Sequence, residues 1–199
     1  MIDLSARLKA ILVEAPGLMR VLAVARDLRL PDWLVFSGAV YQPVWNRLTG
    51  RPIEHGIRDY DLAYFDAADT SYEAEDRVIR RVAAAFEPPI RDMVEVRNQA
   101  RVHLWFEDHF GEAYSPLANT TEAIARFTAA TFAVGVRLEA NDALTVVAPF
   151  GLEDLFAMRL RPNPLRPTAG FARTVQNAKA RWPELTVEDQ SRRSPSGVR

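Results

Sequence analysis

The chain has 199 residues, 48% of them apolar and 26% charged, which is enough for one globular domain with a sizeable core. It contains no cysteine, so disulfide scaffolds, Cys-ligated zinc, iron–sulfur clusters and a thiol nucleophile are excluded. Lys and Arg number 25 against 26 Asp and Glu, and the net charge of −1 speaks against extended nucleic acid or a membrane surface as partner. Lys9 and Lys179 are the two lysines. The remaining cations are guanidinium groups, planar forks suited to phosphate and carboxylate.

Leu4, Leu8, Ile11 and Leu12 follow helical spacing, as do Leu18, Val21, Leu22, Ala25 and Leu28. Pro16-Gly17 separates these two helices and Pro31 stops the second. Residues 33–36 form an apolar run fit for a buried strand, and Ser37-Gly38 turns out of it. Val40, Val44, Trp45 and Leu48 predict a helix closing near Gly50, followed by a polar loop over 51–56. Residues 59–65 read as a strand. Thr70 with Glu73 fits a capping box that opens a helix to about Phe86, and Pro88-Pro89 breaks it. Residues 93–96 alternate like a strand. Residues 121–131 read as a helix, and 133–138 with 144–148 as a hairpin around Asn141-Asp142. A short helix over 151–160, a loop at Asn163-Pro164 and Pro167, and a helix over 171–182 complete the order. The segment 188–199 is polar and reads as a disordered tail. Helices and strands are mixed, and the hairpin connection is too short for a helix. The expected class is α+β: a small mixed sheet flanked by helices, with a C-terminal segment of hairpin plus helices. The expected domain spans 1–187, with a core over about 30–110 and an extension over about 119–187.

The N-terminus lacks the charge and apolar pattern of a signal peptide, and no window approaches the ~18 apolar residues of a membrane span. The expected location is cytoplasmic. Asn119-Thr120-Thr121 matches a glycosylation sequon by chance. His55, His103 and His109 are not spaced as a zinc set.

One constellation carries chemistry. On a strand, residues i and i+2 share a face, so Asp59 and Asp61 converge with Cα atoms about 7 Å apart. Such a pair repels unless a cation lies between the carboxylates. Oxygen-only ligands select a hard cation, Mg²⁺ first and Mn²⁺ as a substitute. Glu95 joins the same face if residues 93–96 lie beside 59–65. Gly38 would let backbone N–H groups of the next helix approach phosphate. The bland alternative is a solvated strand end with two aspartates.

The order Gly38-Ala39, Asp59-Tyr60-Asp61, Val94-Glu95-Val96 resembles the DNA polymerase β-like nucleotidyltransferase superfamily. More closely, the chain resembles a bacterial nucleotidyltransferase-like family. The matching blocks include Arg58-Asp59-Tyr60-Asp61, Asn98-Gln99-Ala100-Arg101-Val102-His103, Val134-Gly135-Val136-Arg137 and Ala148-Pro149-Phe150-Gly151-Leu152-Glu153-Asp154-Leu155. Ala39 departs from the superfamily turn, which carries Gly or Ser there, and the interval from Gly38 to Asp59 is longer than the minimal pattern.

The resemblance implies transfer of NMP from an NTP to a hydroxyl acceptor, with pyrophosphate released and a divalent metal required. Asp59, Asp61 and Glu95 would be the catalytic and metal-binding acids. Ser37 and Gly38 would cradle phosphate. Arg58 would neutralise phosphate or screen the aspartates. Asn98, Arg101 and His103 would contact nucleotide or acceptor, or cap a helix and pair with local carboxylates. The acids Glu153 and Asp154 fall in a first helical turn, which accounts for them without function. The competing expectation is a non-catalytic module of the same fold that binds nucleotide or a partner protein.

Overall fold

The computed structural model describes residues 3–165 and 170–188. Two helices open the chain, α1 (Leu4–Leu12) and α2 (Pro16–Leu28). Asp3 caps α1 by accepting from the Ala6 N–H, and Pro16 starts α2 where its missing N–H costs nothing. Then come β1 (Leu34–Phe36), α3 (Gly38–Leu48), β2 (Tyr60–Tyr64), α4 (Tyr72–Ala83) and β3 (Val94–Asn98). A 3₁₀ turn (Gln99–Leu104) leads into α5 (Phe106–Phe110) and α6 (Thr120–Ala125). The hairpin is β4 (Gly135–Leu138) and β5 (Leu144–Val147). The rest is α7 (Glu153–Phe156), β6 (Arg159–Leu160), α8 (Phe171–Arg181) and β7 (Thr186–Val187).

Among the described residues, a five-stranded sheet runs in the order β3-β2-β1-β4-β5. The β2–β3 pair is parallel and the other pairs are antiparallel, so the sheet is mixed. Its two faces differ. Val35, Leu62, Val96 and Val136 lie in the main core, with buried side chains of α1, α2 and α3. Leu34, Phe36 and Ala63 lie on the other face, in a smaller core with Ile124 and Ala133. Gly135 makes that second contact possible, since a Cβ there would come within 2.7 Å of the Ile124 Cδ1. Register puts Phe36 opposite Asp61 and Asp61 opposite Glu95, so the acids belong to this second face. No helix among the described residues is long and apolar enough to cross a membrane.

Several expectations need correction. The cap of α4 is Ser71, whose Oγ accepts from the Ala74 N–H, one residue beyond Thr70. The Thr70 carbonyl instead accepts from Arg101. The helix expected over 121–131 ends at Ala125, because the Ala130 N–H bonds to the Arg161 carbonyl and Ala129 bridges Pro162. Asn119 of the sequon is the cap of α6, accepting from the Glu122 N–H at 2.9 Å. The helix expected over 151–160 stops at Phe156, since Leu160 pairs with Val187 in a two-stranded parallel ribbon. Glu153 and Asp154 do fall in the first turn of α7, and Asp154 is in addition buried and held by Arg159 and Arg161. Pro167 and all but the first residue of the expected tail lie outside the described residues.

Candidate active site

Asp59 stands one residue before β2 and Asp61 is its second residue. The parallel neighbour β3 brings Glu95 level with Asp61. The flanking Tyr60 and Leu62 are buried in the main core, which fixes the strand and turns the acids to the opposite face. Asp59 and Glu95 are exposed and Asp61 is half-buried between them. Burial, followed by repulsion from Asp59 and Glu95, pushes Asp61 up to about 7, and Arg97 offsets this in part.

A cavity of about 580 Å³ opens at Asp59 and Asp61. Its walls come from four places in the chain. The β1–α3 turn supplies Ser37 and Gly38, and α3 adds Tyr41 and Gln42. The loop before β2 supplies Gly56 and Arg58, and α8 supplies Asn177, Ala180 and Arg181. A buried network ties these walls together. The Trp182 Nε1 donates to Asn46 Oδ1 at 3.0 Å, and the Asn46 Nδ2 donates to the Ile53 and His55 carbonyls. Helix α3, the loop and the end of α8 are thereby locked to one another.

The turn places Gly38 at the start of α3, as expected. The positive φ falls on Ser37 (φ 61°, ψ −128°), not on Gly38. A Cβ on Gly38 would lie 2.7 Å from the Gln42 Nε2, at the far end of that side chain, and 4.0 Å from the Asp59 Oδ1, whereas Ser37 itself holds the positive-φ conformation. A non-glycine residue in this conformation costs about 1–3 kcal/mol. Ser37→Gly is therefore expected to raise unfolding free energy by about 1 kcal/mol in urea titration. Ser37 makes no side-chain cap, so the first N–H groups of α3 face the cavity without a side-chain acceptor.

Gln42 is buried and its Oε1 has no hydrogen-bond partner among the described residues, although it lies on the cavity wall. The Tyr41 hydroxyl is buried, which raises its pKa, and Arg181 pulls against that rise. The Arg181 guanidinium also lies 4.7 Å over the Trp182 ring.

Ser37, Gly38, Arg58, Asp59 and Asp61 thus meet at one cavity, with Glu95 beside Asp61 on the next strand. Asn98 and Arg101 are placed elsewhere. Asn98 is buried, its Oδ1 accepting from the Asp66 and Ala100 N–H groups and its Nδ2 donating to the Asp66 carbonyl. Arg101 pairs with the buried Glu75 of α4. Asn98 thus ties the end of β3 to Asp66, after β2, and Arg101 ties the following turn to α4, and neither lines the cavity. His103 also lies in that turn, its Nδ1 buried without a partner among the described residues. Sequence reasoning missed Tyr41, Gln42, Asn177 and Arg181. Gln42 follows Gly38 by four residues, one helical turn, and that spacing was the available signal. Nothing local marks Arg181.

As positioned, no three His, Asp or Glu side chains among the described residues form a metal-binding cluster. The acids share a face without closing on one point. Their chemistry nevertheless fits a hard divalent cation: carboxylates only, with the repulsion on Asp61 that such a cation relieves.

A family model described as nucleotidyltransferase matches residues 23–187. An NMR structure described as a CCA-adding enzyme head domain is similar at a TM-score of 0.69 and 25% identity, covering 88% of this chain and 91% of that one. A CCA-adding enzyme solved in complex with CTP is similar at a TM-score of 0.52 and 14% identity, covering 92% of this chain and 44% of that one. At that identity the second likeness is one of fold. No curated protein matches the chain.

Proposed function

This chain belongs to the nucleotidyltransferase family, and from that premise we propose that its acid-lined cavity binds an NTP with a divalent cation and transfers NMP to a hydroxyl acceptor. The observation that carries the reading is the meeting of Asp59 and Asp61, in register with Glu95, with an uncapped helix start and two arginines at one cavity. Anionic phosphate suits the α3 N-terminus, Arg58 and Arg181, and the carboxylates of Asp59 and Asp61 line the same cavity. The orphaned Gln42 Oε1 calls for a donor, which a hydroxyl or an amino group of the nucleotide supplies.

Asp59, Asp61 and Glu95 are the residues that would hold Mg²⁺ or Mn²⁺. When bound, the cation supplies charge neutralisation of the triphosphate and polarises the attacking hydroxyl. The chain's own groups do the rest. Arg58 and Arg181 hold the outer phosphates and so fix the α-phosphorus before the acids. The acceptor oxygen bonds to that phosphorus, its proton passes to Glu95, and the bond to the bridging oxygen breaks to release pyrophosphate. Catalysis is then mostly positioning and charge compensation.

Arg58→Ala and Arg181→Ala are each expected to weaken NTP binding about 10-fold, the loss of one charge-assisted bond. Calorimetric titration checks this. The reaction class is tested with NTP labelled at the α or γ position, offered with a protein-free cell extract as the source of acceptor. Label from the α position entering the acceptor, with γ label leaving as pyrophosphate, is the expected result. Transfer of γ label to the acceptor, or its release as orthophosphate, would contradict the proposal.

A further inference from the structure

A second cavity, of about 600 Å³, opens on the same face of the sheet as the acids. Its connection to them is specific. Arg97 lines it and follows Glu95 by two residues on β3, so both point to one face. Phe127 lines it and packs edge-on against Phe36, with ring centroids 5.2 Å apart. Phe36 is the register partner of Asp61. Helix α8 runs between the two cavities: Arg173 lines the second, and Arg181 the first. Eight helical residues span about 12 Å, the scale of one nucleotide with its phosphates.

The walls describe an occupant. Trp105, Phe106, Phe110 and Tyr114 offer aromatic rings, and Phe106 lies 4.3 Å from Tyr114 by ring centroids. Among the described residues, Arg97, Arg126 and Arg173 bring guanidinium groups to the cavity and Glu112 a carboxylate, and the Arg126 guanidinium lies 4.8 Å over the Tyr114 ring. Rings stack on flat heterocycles, and guanidinium forks bind phosphate bidentately. The volume lies in the range of small-molecule sites. In-line phosphoryl chemistry needs the attacking oxygen on the side of the phosphorus away from the leaving group. The second cavity, reached two residues along β3 from Glu95 and separate from the one read as the NTP site, would let an acceptor approach from its own side.

We propose that this cavity is the acceptor site and that the acceptor is a small nucleotide: a heterocycle on the aromatic wall, a phosphate on the arginines, and a ribose hydroxyl presented to the acids. The proposal rests on the reading of the first cavity as the NTP site. The acceptor hydroxyl passes its proton to Glu95, its oxygen bonds to the α-phosphorus of the NTP, and pyrophosphate leaves with the electron pair of the broken P–O bond.

The test titrates AMP, CMP, GMP and UMP into the full chain with ATP and Mg²⁺ held saturating, following Trp105 fluorescence against a Trp105→Phe control. Adenosine and ribose 5-phosphate serve as the ring-only and phosphate-only probes. The proposal predicts that at least one monophosphate binds and that each half-probe binds at least about 10-fold more weakly. Arg173→Glu and Phe110→Ala, both at exposed positions, should weaken that binding about 10-fold and about 5-fold while leaving ATP affinity unchanged. A monophosphate displaced by ATP, a half-probe that binds as well as the whole, or variants without effect would overturn it. So would the failure of all four monophosphates while ATP binds. Titration of ATP, GTP, CTP and UTP alone with Mg²⁺ reports the first cavity separately, and failure of all four to bind would instead remove the reading of that cavity.

Discussion

Asp61→Asn is expected to lower nucleotidyl transfer by about 10³-fold and, in metal-free buffer, to make the protein more stable above pH 7. The two effects have one cause. Asp61 is pushed up to about 7 in the fold from an ordinary 3.8 by burial and by the charges of Asp59 and Glu95. Between those values the unfolded chain has given up the proton while the folded chain keeps it. Rising pH therefore favours unfolding across this window. The penalty is absent below about pH 3.8, grows through the window and is complete above about pH 7. Three pKa units correspond to about 4 kcal/mol at most, and half-exposure of the side chain brings this to about 1–3 kcal/mol. Urea titrations at pH 4.5 and pH 8 measure it. The gain from Asp61→Asn should be large at pH 8 and small at pH 4.5. Loss of stability at pH 8 would make Asp61 a structural residue.

Arg101→Met has the opposite signature: a large loss of stability with no specific loss of nucleotide binding. Glu75 is 5% exposed, accepts the Asn98 N–H at 2.8 Å and pairs with Arg101. Removing the cation leaves a buried carboxylate with a single partner, at a cost of about 3–5 kcal/mol. In a chain of this length that lowers Tm by about 10 °C. Glu75→Gln in the same chain should restore most of the loss, because the charge that lacked a partner is gone. Below the transition, NTP affinity should equal that of the unaltered chain. Unchanged Tm with weakened NTP binding would return Arg101 to the nucleotide site.

The contrast between these residues shows what was readable in the chain. Asp59, Asp61 and Glu95 could be grouped because strand alternation is a local rule and the parallel neighbour follows within one helix. The same locality carried β1, α3 and the β4–β5 hairpin. Arg101 and Asn98 follow Glu95 closely, yet their partners are Glu75 and Asp66, fixed by how α4 and the segment after β2 pack on β3. Sequence adjacency says nothing about that packing. Arg181 shows the converse. It sits in an ordinary polar helix, and it reaches the cavity because Trp182 plugs the core and donates to Asn46. The ends of the helices expected over 121–131 and 151–160 were missed for a related reason. Backbone groups there are taken up by partners more than 25 residues away: Ala130 by Arg161, and Leu160 by the ribbon with β7.

The central claim is that an NTP and a divalent cation bind together at the cavity formed by Asp59, Asp61, the α3 start and the end of α8. Its most direct measurement is calorimetric titration of ATP, GTP, CTP and UTP into the protein, with Mg²⁺ and with EDTA, beside Asp59→Asn and Asp61→Asn. The account predicts binding of at least one NTP that needs the cation and is lost in both folded variants. Folded, unaltered protein that binds none of the four, or binds them equally in EDTA and in the variants, would contradict it.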